Sequence, residues 1–151
     1  MTDDPSADVG STLVLPGEIR DAILERARDG QPEEICGVFG GEYDDAPGGT
    51  SRVHSYYPTE NVAESPQTRY RIDPEAQLEV FERLENAGEE IVGFYHSHPR
   101  GPAAPSETDV DAATWPDRSY LIVSLSPLEV GSWRWRADED RFERERIILS
   151  A

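Results

Sequence analysis

The chain contains no lysine, a single cysteine and no long apolar run: all 14 of its basic residues are arginine, in a sequence of 151 residues. One cysteine, Cys36, excludes both an intrachain disulfide and a four-cysteine zinc ribbon, and its short apolar surroundings favour a buried thiol. No stretch is apolar enough to span a bilayer, and residues 1–11 lack the basic and apolar regions of a signal peptide. These absences predict a cytoplasmic protein with no membrane partner.

Basic charge is also scarce relative to acidic charge. The sequence has 31 acidic residues against 14 basic ones, which gives a formal net charge of -17 at pH 7. Nucleic acid is therefore an unfavourable partner, because its phosphate backbone would be repelled. Such a surface also repels itself until salt shortens the Debye length, to about 3 Å at 1 M. The composition resembles that of proteins from salt-accumulating haloarchaea.

The order of helical and strand-like segments predicts one mixed α/β domain. Helices are predicted over residues 16–30 and 74–87, and from Ser106 to near residue 115. Strands are predicted over residues 34–43, 51–57, 68–72, 91–98, 120–125, 133–136 and 142–149, the last two as a closing antiparallel pair. We expect a disordered lead-in over residues 1–11 and a single domain over residues 12–151, built as a mixed β-sheet flanked by helices.

Two of the three histidines stand close together, as His96-Ser97-His98, at the end of a predicted strand. Residues i and i+2 of a strand point to the same face, so both imidazoles could bind one tetrahedral zinc ion. Alone, such a pair more often marks a polar strand face than a metal site. The third histidine, His54, is interpreted as a surface residue.

Asp109 could supply a third metal ligand, since a catalytic zinc usually takes three protein ligands and leaves a fourth position for water. The segment from Ser106 to Asp109 also fits a helix-capping box. Capping and metal binding are equally well supported here, and Ser106 could serve both. Glu34 could act as the base that a metallohydrolase requires, but taken alone it is better explained as a solvated charge beside Glu33, in a chain with 31 acidic residues.

In combination, these residues resemble the full signature of the JAMM (MPN-plus) metalloproteases, formed here by Glu34, His96, His98, Ser106 and Asp109 at the family's spacing. The resemblance implies a cytidine-deaminase-like α/β sandwich in which His96, His98 and Asp109 bind Zn²⁺. It also implies that Glu34 is the general base acting on the zinc-bound water and that Ser106 helps to hold the oxyanion. A deaminase is disfavoured, because the Pro-Cys-x-x-Cys ligands of that class are missing.

The resemblance further implies a function. A stand-alone haloarchaeal member of this family would be a desampylase, an isopeptidase that removes small ubiquitin-like modifier proteins from target lysines by cutting after their C-terminal Gly-Gly. Two alternatives stay open at this point. One is a peptidase that processes a sulfur-carrier protein or its cysteine adduct, and the other is a non-catalytic, zinc-stabilised module that binds ubiquitin-like tails. The histidine pair could also hold a metal other than zinc.

Overall fold

Seven strands and three helices follow one another in the computed structural model, which describes residues 10–46 and 48–151. The strands are β1 (Thr12–Pro16), β2 (Cys36–Glu42), β3 (Thr50–Thr59), β4 (Glu90–His98), β5 (Ser119–Leu125), β6 (Leu128–Arg136) and β7 (Arg141–Ser150). The helices are α1 (Gly17–Gly30), α2 (Pro74–Asn86) and α3 (Glu107–Ala112). None of these three helices is long and apolar enough to cross a membrane.

The strands form one mixed sheet in the order β1-β3-β2-β4-β5-β6-β7, and β7 pairs with β1 to close it as a barrel. Pairing is parallel for β1 with β3, β1 with β7 and β4 with β5, and antiparallel elsewhere. The predicted mixed sheet with flanking helices is confirmed. Its closure into a barrel is a detail that the sequence did not indicate.

Apolar side chains form two cores on opposite faces of the sheet. The first core includes Ile23 of α1 and Tyr95 of β4, and the second includes Leu84 of α2 and Phe94 of β4. Successive residues of a strand point to opposite faces, so Tyr95 and Phe94 enter different cores. The same alternation places the two histidines that follow on the face of Phe94, toward α3 and the loop before α2.

Two predicted elements differ from the observed ones. The predicted strand over residues 68–72 is wrong, because this segment makes only an isolated bridge, between Asn61 and Ile72. Strand β1 was not predicted, and Pro16, expected in the first helical turn, ends β1 and precedes α1 instead. The helix predicted to reach residue 115 ends at Ala112.

The predicted disordered lead-in, residues 1–11, lies mostly outside the described residues. Of its two described positions, Ser11 is buried, and its hydroxyl donates a hydrogen bond to Glu145 Oε2 at 2.9 Å.

Candidate active site

The histidine pair lies at the C-terminal end of β4, in the middle of the sheet. His96 is opposite Cys36 of β2 and Ile122 of β5, and His98 is beside Ser124 of β5. Neighbouring strands on both sides leave His96 only 1% exposed and His98 8% exposed. As the i, i+2 spacing predicted, both rings project from one face, and their Nε2 atoms are 3.2 Å apart.

Helix α3 brings Asp109 to these two rings. Its Oδ2 lies 3.2 Å from His96 Nε2 and 3.1 Å from His98 Nε2. The same oxygen accepts a hydrogen bond from the backbone N–H of Ser106 at 2.9 Å, while Ser106 Oγ accepts one from the Asp109 N–H at 3.1 Å. The two interpretations of this segment are therefore both realised, because the capping box is present and its carboxylate also contacts both histidines.

His96 Nε2, His98 Nε2 and Asp109 Oδ2 form a nearly equilateral triangle with edges of 3.1–3.2 Å. Ligands about 2.0–2.1 Å from a tetrahedral zinc ion lie about 3.3–3.4 Å from one another, so a small adjustment would accommodate the ion. His98 Nδ1 contacts the carbonyl oxygen of Pro102 at 2.9 Å. A carbonyl can only accept, so Nδ1 carries a proton. The neutral ring therefore offers the Nε2 lone pair to a metal, whereas without a metal a second proton on Nε2 can be donated to Asp109. The donor set fits a metal ion.

The charges of this triangle stabilise one another. Burial alone would raise the pKa of Asp109, but the hydrogen bonds from His96 and His98 hold it well below its usual range. Burial lowers the pKa of His96. For His98, burial acts in the same direction, but its hydrogen bonds to Asp109 and Pro102 raise its pKa overall. The aspartate is thus ionised and His96 tends to be neutral, as metal binding requires, whereas His98 must release the Nε2 proton that Asp109 stabilises before it can bind a metal.

Glu34 immediately precedes the sheet, since β2 begins at Cys36 rather than at residue 34 as predicted. Ligand-type atoms of Glu34, His96 and His98 all lie within 4.8 Å of one another. The Glu34 side chain is 5% exposed, and within the described residues its Oε1 has no hydrogen-bond partner. Burial raises its pKa to about 8, although the charge of His98 acts in the opposite direction. This carboxyl group can therefore exchange a proton near neutral pH, which suits a general base.

A surface cleft of about 630 Å³ opens onto Glu34, His98 and Ser106. One wall comes from the loop before α2, through Gln67 and Thr68. The other wall is the loop over residues 99–105, which includes the exposed Arg100. The structure thus brings together all five side chains that the sequence singled out, and three of them, Glu34, His98 and Ser106, line an accessible cleft.

The residue between the histidines points to the opposite face, as expected from strand alternation. Ser97 Oγ accepts a hydrogen bond from the Ile35 N–H at 2.8 Å, and the Ser97 N–H donates to the Ile35 carbonyl at 3.0 Å. Ser97 thus attaches the residue after Glu34 to β4. Cys36 is buried and His54 is exposed beside Glu42, as the sequence predicted for both residues.

Tyr70 is a neighbour of the site that the sequence did not reveal. Its ring stacks on His96, with centroids 4.3 Å apart and an interplanar angle of 23°. Burial raises the pKa of its hydroxyl well above the ordinary value. The sequence pattern over residues 68–72 did not predict this contact, because Tyr70 reaches β4 only through the folded conformation of the loop.

Comparison with known proteins identifies the family of this chain. A family model described as prokaryotic homologs of the JAB domain matches residues 16–138. The chain belongs to this family. A solved structure from Desulfitobacterium hafniense, 32% identical, superposes on the JAB fold of this chain with a TM-score of 0.76 over 92% of each chain.

Relatives of this JAB protein carry functional names. A Haloferax volcanii protein named desampylase is 40% identical over 135 residues, which cover 87% of this chain and 93% of the relative. A Mycobacterium tuberculosis protein named CysO-cysteine peptidase is 41% identical over 112 residues, or 74% of this chain and 73% of the relative. The chain is accordingly a JAMM-type hydrolase, and a purely non-catalytic binding module is disfavoured.

Proposed function

We propose that this JAB protein is a zinc-dependent isopeptidase that removes small archaeal ubiquitin-like modifiers from target lysines by hydrolysis after their C-terminal Gly-Gly. The observation that carries the proposal is the triangle of His96, His98 and Asp109 beside an open cleft. Glu34 Oε1 lies next to this triangle and has no hydrogen-bond partner in the part of the chain that the structure describes. The Haloferax volcanii relative named desampylase supports the substrate class.

His96, His98 and Asp109 would hold the ion through two imidazole nitrogens and one carboxylate oxygen, a set that suits zinc. When bound, zinc would supply Lewis acidity toward the scissile carbonyl and make a water molecule acidic enough to attack at neutral pH. Two of the ligands are oriented in advance, because His98 is bonded to the Pro102 carbonyl and Asp109 to the Ser106 N–H.

Glu34 would carry the proton. Its buried carboxylate would accept a proton at Oε1 from the attacking water and then pass it to the amine that leaves. A group that takes and releases the same proton works best when its pKa is near the working pH, and burial raises the pKa of Glu34 to about 8 in the metal-free protein.

Ser106 would stabilise the negative charge that develops on the scissile carbonyl oxygen. Its Oγ accepts a hydrogen bond from the Asp109 N–H, so the hydroxyl proton remains available for donation. The residue is exposed at the edge of the cleft, where a substrate oxygen could accept this proton. A donor placed toward developing charge acts mainly in the transition state.

A second substrate class is favoured by one relative and one side chain. The Mycobacterium tuberculosis relative is named CysO-cysteine peptidase. Arg100 lines the cleft, where a carboxylate on the leaving group would meet a cation. Cleavage of an amino acid from a sulfur-carrier protein is therefore the alternative for the same site.

Cleavage assays at high salt would test both substrate classes. One substrate is a modifier joined through Gly-Gly to a target lysine, and the other is a carrier protein ending in Gly-Gly-cysteine. The samples are wild type, chelator-treated wild type with and without added zinc, Glu34→Gln, and Glu33→Gln as a control at the exposed neighbouring residue.

We expect wild type and Glu33→Gln to cut the lysine conjugate after Gly-Gly, and Glu34→Gln and the chelated sample to be inactive. Zinc should restore activity to the chelated sample. Preferential cutting of the cysteine adduct would favour the alternative. Full activity of Glu34→Gln would refute the mechanism.

A further inference from the structure

The carboxamide of Asn61 is fully used in hydrogen bonds around the backbone of Glu34. Asn61 Nδ2 donates to the carbonyl oxygens of Glu34 and Arg69, at 2.9 and 3.0 Å. Asn61 Oδ1 accepts from the N–H groups of Ala63 and Arg71, both at 3.0 Å. Two donor hydrogens and two acceptor lone pairs are the complete capacity of an amide side chain.

These bonds matter because Glu34 lies outside the sheet. Strand β2 begins two residues later, so the backbone of Glu34 has no strand partner. The loop supplies both partners instead, since the Glu34 N–H donates to the Pro66 carbonyl at 2.7 Å and the Glu34 carbonyl accepts from Asn61. The next residue, Ile35, is held independently, by Ser97 Oγ.

The loop that Asn61 organises also carries other parts of the site. Gln67 and Thr68 form one wall of the cleft, and Tyr70 stacks on His96. Asn61 and Ile72 stand at the two ends of this loop and are joined by an isolated antiparallel β-bridge. One side chain thus fixes the loop and connects it to the backbone of the residue that supplies the base.

We propose that Asn61 is a positioning residue, which orients the Glu34 carboxylate by holding its backbone carbonyl and closing the loop over residues 61–72. The inference rests on the proposed function of Glu34 and deepens it. An aspartate has the same shape, but it would place a second acceptor against two carbonyl oxygens. A displacement of about 1 Å in a catalytic group can cost about 10²-fold in rate.

The test compares Asn61→Asp and Asn61→Ala with wild type and with Asn86→Ala. Asn86 is the chain's only other asparagine, and it is exposed at the end of α2. Three quantities are measured for each zinc-loaded protein: kcat and KM on the lysine conjugate, zinc stoichiometry, and residue-specific amide hydrogen exchange by NMR.

We expect both Asn61 variants to lose about 10- to 100-fold in kcat and to retain one zinc per chain. KM should rise by less than kcat falls, with the rise coming from Gln67 and Thr68, which move with the loop. The Glu34 amide should exchange at least about tenfold faster, because its Pro66 partner belongs to the freed loop. The Ile35 amide, bonded to Ser97, should be unchanged and serves as an internal control. Asn86→Ala should match wild type throughout.

Three outcomes would overturn the proposal. The first is an Asn61→Asp variant with wild-type kcat, and the second is unchanged exchange at Glu34 whatever happens to kcat. The third is loss of zinc or of the folded state in parallel with activity, which would limit Asn61 to a role in the fold. If wild type cuts nothing, the proposed function fails, while the exchange data still decide whether Asn61 holds Glu34.

Discussion

Substitutions of Ser106 can separate the two uses of its hydroxyl group. The oxygen caps α3 by accepting from the Asp109 N–H, and we propose that its proton serves the substrate. Ser106→Gly removes the hydroxyl but keeps a residue that helix N-termini tolerate well. Ser106→Ala removes both the hydroxyl and the favourable cap, whereas Ser106→Thr retains both. All three keep the backbone N–H that bonds to Asp109 Oδ2.

The expected magnitudes differ between stability and rate. Replacing an N-cap serine by alanine lowers the free energy of unfolding by about 1 kcal/mol. Replacing it by glycine lowers this free energy by only a few tenths of a kcal/mol. Loss of an oxyanion donor costs about 10²- to 10³-fold in kcat, or about 2.7–4 kcal/mol. Glycine and alanine should therefore lower kcat equally while differing in stability. In a domain of this size, about 1 kcal/mol shifts the melting temperature by about 2–4 °C.

Urea denaturation and steady-state cleavage of the lysine conjugate, on zinc-loaded proteins, measure the two quantities separately. Zinc stoichiometry confirms that Asp109 still binds. If kcat follows stability across the three variants, with glycine close to wild type, then the hydroxyl acts only as a cap and its catalytic role is refuted.

Three further predictions concern Tyr70, the ionisation of Glu34 and the net charge of the chain. Tyr70→Leu removes the ring that stacks on His96 and should weaken zinc binding about tenfold, whereas Tyr70→Phe keeps the ring and should not. Competition with a chromophoric chelator measures both zinc affinities, and equal affinities would contradict a role for stacking. Burial raises the pKa of Glu34 from 4.5 to about 8, so metal-free wild type should lose stability relative to Glu34→Gln as pH rises through that range. The two proteins should converge near pH 4.5 in urea titrations, and a constant difference would argue against the shift. A net charge of -17 predicts a melting temperature that rises by roughly 5 °C when salt increases from about 0.1 to about 1 M, and a flat response would show that surface repulsion is unimportant.

Local patterns predicted the parts of the molecule that local physics determines. The apolar run of β5 and the amphipathic stretch of α1 are found close to the predicted bounds. The spacing of His96 and His98 on one strand is enough to place both rings on one face. The capping box formed by Ser106 and Asp109 is also present, as the sequence indicated.

Contacts between distant segments were not predictable in the same way. Strand β1 is five residues long and owes its place to pairing with β3 and β7, far along the chain. The alternation over residues 68–72 indicated a strand, but hydrogen bonds to the Asn61 side chain hold this segment as a loop instead. The stacking of Tyr70 on His96 depends on that loop and left no trace in the local pattern.

Asp109 Oδ2 belongs at once to the first turn of α3 and to the group of atoms that would hold the metal. A helix of six residues is too short to be stable alone, so α3 depends on what its first turn contacts. Helix formation and metal occupancy are then thermodynamically linked, and each must strengthen the other by the same free energy. Position 109 therefore has to satisfy two requirements through one atom. A cysteine could bind the metal and a glutamine could accept from the N-cap N–H, but aspartate meets both requirements with the same oxygen.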